Sequence, residues 1–403
     1  MGISRLAILM GLIFGTASRA DEAPPGEVAP PGEAARPADV PDASGLAVTG
    51  YIDGSYEYFS TTGEFKGGTP SRVFDFQRNS FDVHQAALTV ALQPKQGFGA
   101  LLNVTAGADA NVIKSYPITG HTNVDVTQGF VQYVHDDLTV MAGKFVTLAG
   151  AEVIAETLDT NFSRSILFGY AEPFTHTGLR AIYALNGQWS VTLGLNDGWD
   201  QITDINNDKT IELGLGWTPT KQFSVLVNVY SGKEPIVLIA RDNDTWRDLV
   251  DVVVTWSASD ALTFILNADA GEQSGAAQNG QTARWDGVAG YVNYQLSEHW
   301  RGSWRTEWFD DAQGYRTGVD QPQSGAVDGA HNDVAATPVG QTWTEVTFTL
   351  GYAPTKHFEA RVEARADKSN QSDAFVSSVN PATGATRGTD QQESVALQGV
   401  VKF

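Results

Sequence analysis

The 403-residue chain has no cysteine. Disulfide staples, Cys-ligated zinc or iron–sulfur centres, thiol nucleophiles and a lipidated N-terminal Cys are thereby excluded. Cationic residues are scarce too: 26 Lys and Arg stand against 47 Asp and Glu, a formal net charge of −21. Nucleic acid is a poor partner for such a surface, because phosphate binding needs clustered Lys and Arg. Charged residues reach 18% and hydrophobic ones 42%, both below soluble-domain averages. No apolar run approaches the ~18 residues of a membrane-spanning helix, and no stretch after Leu46 keeps a helical period. What is plentiful is glycine (41) and aromatics (10 Trp, 12 Tyr, 19 Phe), spread along the whole length. That mixture suits a sheet whose two faces meet two different solvents.

The N-terminus divides by composition. Residues 1–20 read as a secretory signal peptide: Arg5 is the positive start, Leu6 to Phe14 the short apolar segment, and Ser18-Arg19-Ala20 a cleavage site. Residues 21–45 hold six Pro, six Ala and six acidic residues against the single Arg36. Such a stretch cannot bury surface and is expected to be a disordered spacer.

From residue 46 to 403 the pattern is alternation. Leu262, Phe264, Leu266 and Ala268 alternate with Thr263, Ile265, Asn267 and Asp269. Phe358, Ala360, Val362, Ala364 and Ala366 alternate with Glu359, Arg361, Glu363, Arg365 and Asp367, one face wholly apolar and the other wholly charged. Seven tight connectors, such as Pro94 to Gly97 and Pro354 to Lys356, interleave with eight long polar ones at roughly 60–79, 110–122, 149–175, 197–208, 232–246, 271–283, 310–341 and 368–390. The count between them is sixteen strands, with fourteen or eighteen left open by weak alternation at 123–134. Short turns, long loops and strands of ~10 residues, apolar out and polar in, predict an all-β, transmembrane antiparallel up-and-down β-barrel of the Gram-negative outer membrane. A barrel also satisfies every backbone hydrogen bond inside lipid, which an open sheet cannot do. Trp189, Trp217, Phe223, Trp300, Trp304 and Trp308 fall where interfacial girdles belong. Phe403 ends an alternating strand, the position of an assembly signal read by the barrel assembly machinery.

Enzymatic patterns are thin. Seven His residues show no zinc-binding spacing, and no nucleophile elbow or P-loop occurs. Asp204, Asn206 and Asp208 have calcium-ligand spacing, but Lys209 stands where Gly is needed, so a solvated loop is the better reading. No metal or cofactor is expected.

The third long loop, 149–175, is unusually apolar, with Ile154, Leu158, Phe162, Ile166, Leu167 and Phe168. Folded into the lumen it would bury them and carry Glu152, Glu156, Asp159, Arg164 and Glu172 to a pore constriction. The rival is an external lid or subunit contact. The segment Asn161 to Arg180, NFSRSILFGYAEPFTHTGLR, with the preceding Ala142-Gly143-Lys144-Phe145, resembles the putative beta-barrel porin-2 (OmpL-like) family. The resemblance implies an outer-membrane, porin-like channel and names no solute.

The function expected is a water-filled diffusion channel for small hydrophilic solutes or ions, with no reaction catalysed. Arg301, Arg305, Arg361 and Arg365, with Arg180 on another wall, would line the pore opposite Glu152, Glu156 and Asp159. Equally, those arginines pair with Glu307, Glu345, Glu359 and Glu363 simply to satisfy buried charge. The acidic excess predicts a mild cation preference. Partners would be outer-membrane lipid, lipopolysaccharide and the assembly machinery; trimers are common for this architecture, though no residue here specifies one. The competing functions are a structural or adhesive anchor using loops 310–341 and 368–390, and an outer-membrane enzyme.

Overall fold

The computed structural model describes residues 45–66, 70–75, 77–118, 121–236, 244–319 and 340–403. Residues 1–20, expected as a signal peptide, and almost all of 21–45, expected as a spacer, lie outside the described residues, as does 320–339 of the seventh long loop.

Alternating side chains make alternating strands. The first half of the wall is β1 (Ala47–Phe59), β2 (Ser80–Leu92), β3 (Gly97–Ala106), β4 (Val124–His135), β5 (Leu138–Val146), β6 (Thr175–Ala184), β7 (Trp189–Asn196) and β8 (Thr210–Thr220). The second half is β9 (Phe223–Pro235), β10 (Asp244–Ser259), β11 (Leu262–Gln273), β12 (Ala283–Gln295), β13 (Trp300–Asp311), β14 (Gln341–Thr355) and β15 (Phe358–Ser369). A small hairpin, β16 (Phe375–Val379) and β17 (Thr386–Thr389), interrupts the last loop before β18 (Gln391–Lys402). Sixteen of these strands close into one antiparallel barrel, each paired with its sequence neighbour and β15 with β18. All seven short turns and all eight long loops fall where the alternation breaks.

The seam joins β1 to β18, from Tyr51 opposite Lys402 to Phe59 opposite Ser394. Phe403 extends it: its N–H donates to the Gly50 carbonyl at 2.9 Å, and the Gly50 N–H donates back to the Phe403 carbonyl at 2.9 Å. The Phe403 ring covers Gly50, where a Cβ would lie 2.5 Å from Cζ and 2.7 Å from the Ala87 carbonyl. A ring laid over a cross-strand glycine restores the packing the glycine lacks.

The outer face is apolar and exposed, as at Leu397, Val362 and Leu266. Aromatic pairs gather beside the short turns: Trp189 on Trp217 at 5.5 Å, Trp256 on Phe264 at 5.5 Å and Trp300 on Tyr352 at 4.6 Å. The inner face departs from a simple polar lining. Leu101, Phe130, Met141, Phe145 and Ile182 form an inward apolar cluster on β3–β6. This explains the weak alternation near 123–134, where apolar residues occupy both faces.

The main hydrophobic core lies inside the barrel. The third loop (147–174) contributes Ile154, Ile166, Leu167, Phe168, Tyr170 and Phe174. They pack with Phe65, Val73 and Phe74 of the first loop, Ile113 of a single helical turn Ala110–Ile113, Trp199 of the fourth loop, and Tyr230, Trp285, Phe309 and Trp343 of the wall.

Candidate pore constriction

The third loop, L3, begins two residues earlier and ends one earlier than its polarity suggests, because β5 stops at Val146 and β6 starts at Thr175. It has almost no regular structure, only single turns at Glu156–Leu158 and Leu167–Ala171. A buried segment without ladders must find other partners for its peptide groups. The wall supplies them. Glu363 accepts the N–H groups of Phe162 and Ser163 at 2.7 and 3.0 Å. Glu307 accepts those of Ile166 and Leu167 at 3.0 and 3.2 Å. Arg305 donates to the Ser163 carbonyl at 2.5 Å, and Arg365 to the Arg164 carbonyl at 2.7 Å. Thus two wall carboxylates each hold a pair of consecutive N–H groups, and two guanidinium groups hold carbonyls of the same stretch.

The side chains of L3 dock against the same wall. Glu152 pairs with Arg305 at 2.7 Å and Glu156 with Arg361 at 2.6 Å. Arg164 pairs within the loop with Glu156, and lies 3.2 Å from Asp159 without an aligned hydrogen bond. Arg305 also meets Glu307 and Glu345, each at 3.2 Å. Arg361 meets Glu359 at 3.0 Å, and Arg365 meets Asp367 at 2.8 Å. The acidic loop and the basic wall are therefore in contact, with no water-filled gap between these pairs. Burial raises the Asp159 carboxyl well above the usual carboxylate range despite Arg164, and raises Glu156 despite Arg164 and Arg361.

Not every expected residue joins this cluster. Arg180 lies apart, paired with Glu212 at 2.7 Å and stacked over Phe145 at 4.0 Å. Glu172 turns away toward Asp251 and Asp269. Arg301 and Glu359, 2.6 Å apart, keep side-chain exposures of 20% and 12% and so lie at the edge of the packed cluster. Elsewhere on the inward faces Asn103, Thr192, Thr263 and Asn293 are only partly buried.

Several partners carry no signal in the sequence beyond their inward parity. Gln85 donates to the Ile154 carbonyl and Gln398 to Glu156 at 2.7 and 2.9 Å. Asn161 of the loop reaches Thr349 at 2.7 Å, and Leu148 N–H reaches the Tyr230 hydroxyl at 3.1 Å. Arg72 of the first loop holds Glu57, Asp75 and Asp367 together. Ser55, His84 and Asp109 form a hydrogen-bonded run, 2.8 Å from Ser55 to His84 and 3.2 Å from His84 to Asp109. That is the order of a nucleophilic triad, but all three are buried and Phe162 stands edge-on to the His84 ring at 5.3 Å. The run forms part of the seat for L3. The calcium-like spacing at 204–208 is filled by ammonium groups instead: Lys209 pairs with Asp204 and Lys233 with Asp208.

The fold is that of solved outer-membrane proteins. The in-vitro-folded OmpT of Vibrio cholerae superposes with a TM-score of 0.57 at 10% identity, covering 91% of this chain and 100% of that one. The outer-membrane channel DcaP of Acinetobacter baumannii gives 0.55 at 13% identity, covering 89% and 97%. The anion-selective porin of Comamonas acidovorans gives 0.57 at 9% identity, covering 90% and 100%. A trimer form of the Vibrio protein gives 0.58 at 10% identity, covering 90% and 100%. No curated protein matches by sequence. The family profile of Putative beta-barrel porin-2, OmpL-like, matches residues 45–403, and with sixteen strands closed around an inserted third loop the chain belongs to that family of outer-membrane barrels.

Proposed function

We propose that the chain is a diffusion channel for small hydrophilic solutes or ions whose width and charge are set by L3. The carrying observation is the docking of L3 inside the lumen through Glu152–Arg305 and Glu156–Arg361. At the loop and its seat, the carboxylates Glu152, Glu156, Glu307, Glu345, Glu359 and Glu363 outnumber Arg164, Arg301, Arg305, Arg361 and Arg365 by six to five. Fixed negative excess in a low-dielectric wall favours cations over a Debye length of ~8 Å at physiological salt. A mild cation preference follows. A signal peptide over 1–20, a spacer over 21–45 and a homotrimer complete this reading; the trimer is supported by the trimeric neighbour.

Single-channel recording in a planar bilayer, with ion substitution, tests it. The expected result is an open current with a reversal potential displaced toward cations. Glu152→Gln, Glu156→Gln and Asp159→Asn together should move it toward anions, most visibly at low salt. Wild-type anion preference, or an unmoved triple variant, would remove L3 from the constriction. One observation favours a second reading, a plugged barrel acting as an anchor: Arg305, Thr347 and Thr349 of the wall facing L3 are 0% exposed. Such a barrel passes no current.

A further inference from the structure

Where L3 rejoins the wall, three carboxylates meet. Glu172 lies against Asp251 on β10 and Asp269 on β11, with an oxygen of each within 4.8 Å of the others. Glu172 and Asp251 are 0% exposed and Asp269 4%. Asp251 and Asp269 are direct cross-strand partners, and like charges so placed ordinarily weaken a sheet. Asp251 is held in place, one oxygen accepting from Asn267 and the other from Asn228, each at 2.8 Å. Glu172 and Asp269 are not: apart from hydrogen bonds among the three acids themselves, all four of their carboxylate oxygens are buried without a partner. Among the described residues no Lys, Arg or His forms an ion pair with any of the three. Buried carboxylates left uncompensated are costly, and are ordinarily paired or bound to a metal. The backbone is shaped around them as well. Gly150, at φ +92°, passes so close to Glu172 that a Cβ there would collide with its Oε2.

We propose that Glu172, Asp251 and Asp269 bind a divalent cation of the calcium type, which clamps the end of L3 to β10 and β11. The donor set is all oxygen, the chemistry of hard cations. Calcium–oxygen bonds of about 2.3–2.6 Å place opposite ligands roughly 5 Å apart, which accommodates the observed spread. Magnesium retains several waters and near-octahedral geometry, so an enclosed site suits calcium better. The clamp holds L3 whether or not the lumen conducts, and its test is separate from that of the channel.

The test uses purified full-length protein stripped with EGTA and titrated with Tb³⁺. Trp285 serves as the antenna, because its Nε1 donates to the Ala171 carbonyl next to Glu172 at 3.1 Å. One Tb³⁺ per chain, displaced by Ca²⁺, is expected. Glu172→Gln and Asp269→Asn should each weaken binding at least ~10-fold, while Asp204→Asn in the fourth loop should leave it unchanged. Limited proteolysis of L3 in wild type should be slower in Ca²⁺ than in EGTA, a measurement that stands even where a variant fails to fold. No saturable Tb³⁺ site, wild-type affinity in both variants, or equal digestion in Ca²⁺ and EGTA would overturn the proposal. So would L3 protection that responds to acid but not to Ca²⁺, which would mark a cluster sharing protons.

Discussion

Arg305 concentrates the logic of this interior in one side chain. It is fully buried and bonded to Glu152, Glu345 and the Ser163 carbonyl. Arg305→Met keeps the bulk and strands several carboxylates without a counter-charge, which should cost roughly 3–5 kcal/mol. Chemical unfolding of the detergent-solubilised barrel measures it; a loss under about 1 kcal/mol would mean those carboxylates are neutral in the folded state. At the seam, removing Phe403 deletes both hydrogen bonds to Gly50 and uncovers that glycine. Slower insertion and unfolded protein in the periplasm should result, whereas deleting residues 24–41 should have no such effect. A normal heat-modifiable band from the truncated chain would show that the last strand is not the recognition signal. The inward parity of Arg305, Glu307 and Glu363 was readable from alternation. Their partners were not: periodicity tells which face a residue occupies, not which peptide of a distant loop it will meet. For that reason Glu363, expected as a partner for arginine, holds backbone N–H groups of L3 instead, and Glu307 holds two more while also meeting Arg305.

Among elements, the strands were the most legible, since lipid on one side and the lumen on the other force period-two sorting along most of them. Val362→Arg or Leu266→Arg, on the lipid face, should cost roughly 2–4 kcal/mol of barrel stability. Thr263→Lys, on the opposite face of β11, should be tolerated, and equal losses on both faces would contradict the orientation of these strands. L3 was legible as a misfit, too apolar for an exposed loop. The inward apolar cluster on β3–β6 was hidden because it erases the alternation by which an inner face is recognised. The β16–β17 hairpin was hidden by its brevity, strands of five and four residues around a polar, glycine-containing turn that reads as loop. The carboxylate cluster of Glu172, Asp251 and Asp269 was invisible for another reason: its members sit on three separate segments. The one local spacing that resembled a cation site, at 204–208, proved to be filled by lysines.

For the molecule as a whole, the fit of L3 in its barrel should depend on pH. Burial raises the carboxyl of Asp159 well above the ordinary range and that of Asp200, which accepts the Phe174 and Thr175 N–H groups, to about 6. An acid whose folded-state pKa is raised holds its proton more tightly when folded. Its contribution to stability is complete below about pH 4 and is lost as pH rises through the raised value. L3 should therefore be seated most firmly in mild acid, with protease cleavage of the loop slower at pH 5 than at pH 7.5; the reverse order would refute this. A different consequence follows from where the partners of L3 lie along the chain. Phe162 is held by Glu363 and Glu156 by Arg361, separations of 201 and 205 positions. Contacts so distant in sequence close late, because the entropy of the intervening chain must be lost before they form. Until β11–β13 are in place, the turn Leu167–Ala171 has no wall to cover it. The nascent barrel thus carries its stickiest surface in its earlier half while the surface that hides it is still unmade. Any escort that keeps this chain from aggregating must shield L3 until the final strands arrive, so that the closing of the wall and the seating of its contents are one cooperative event.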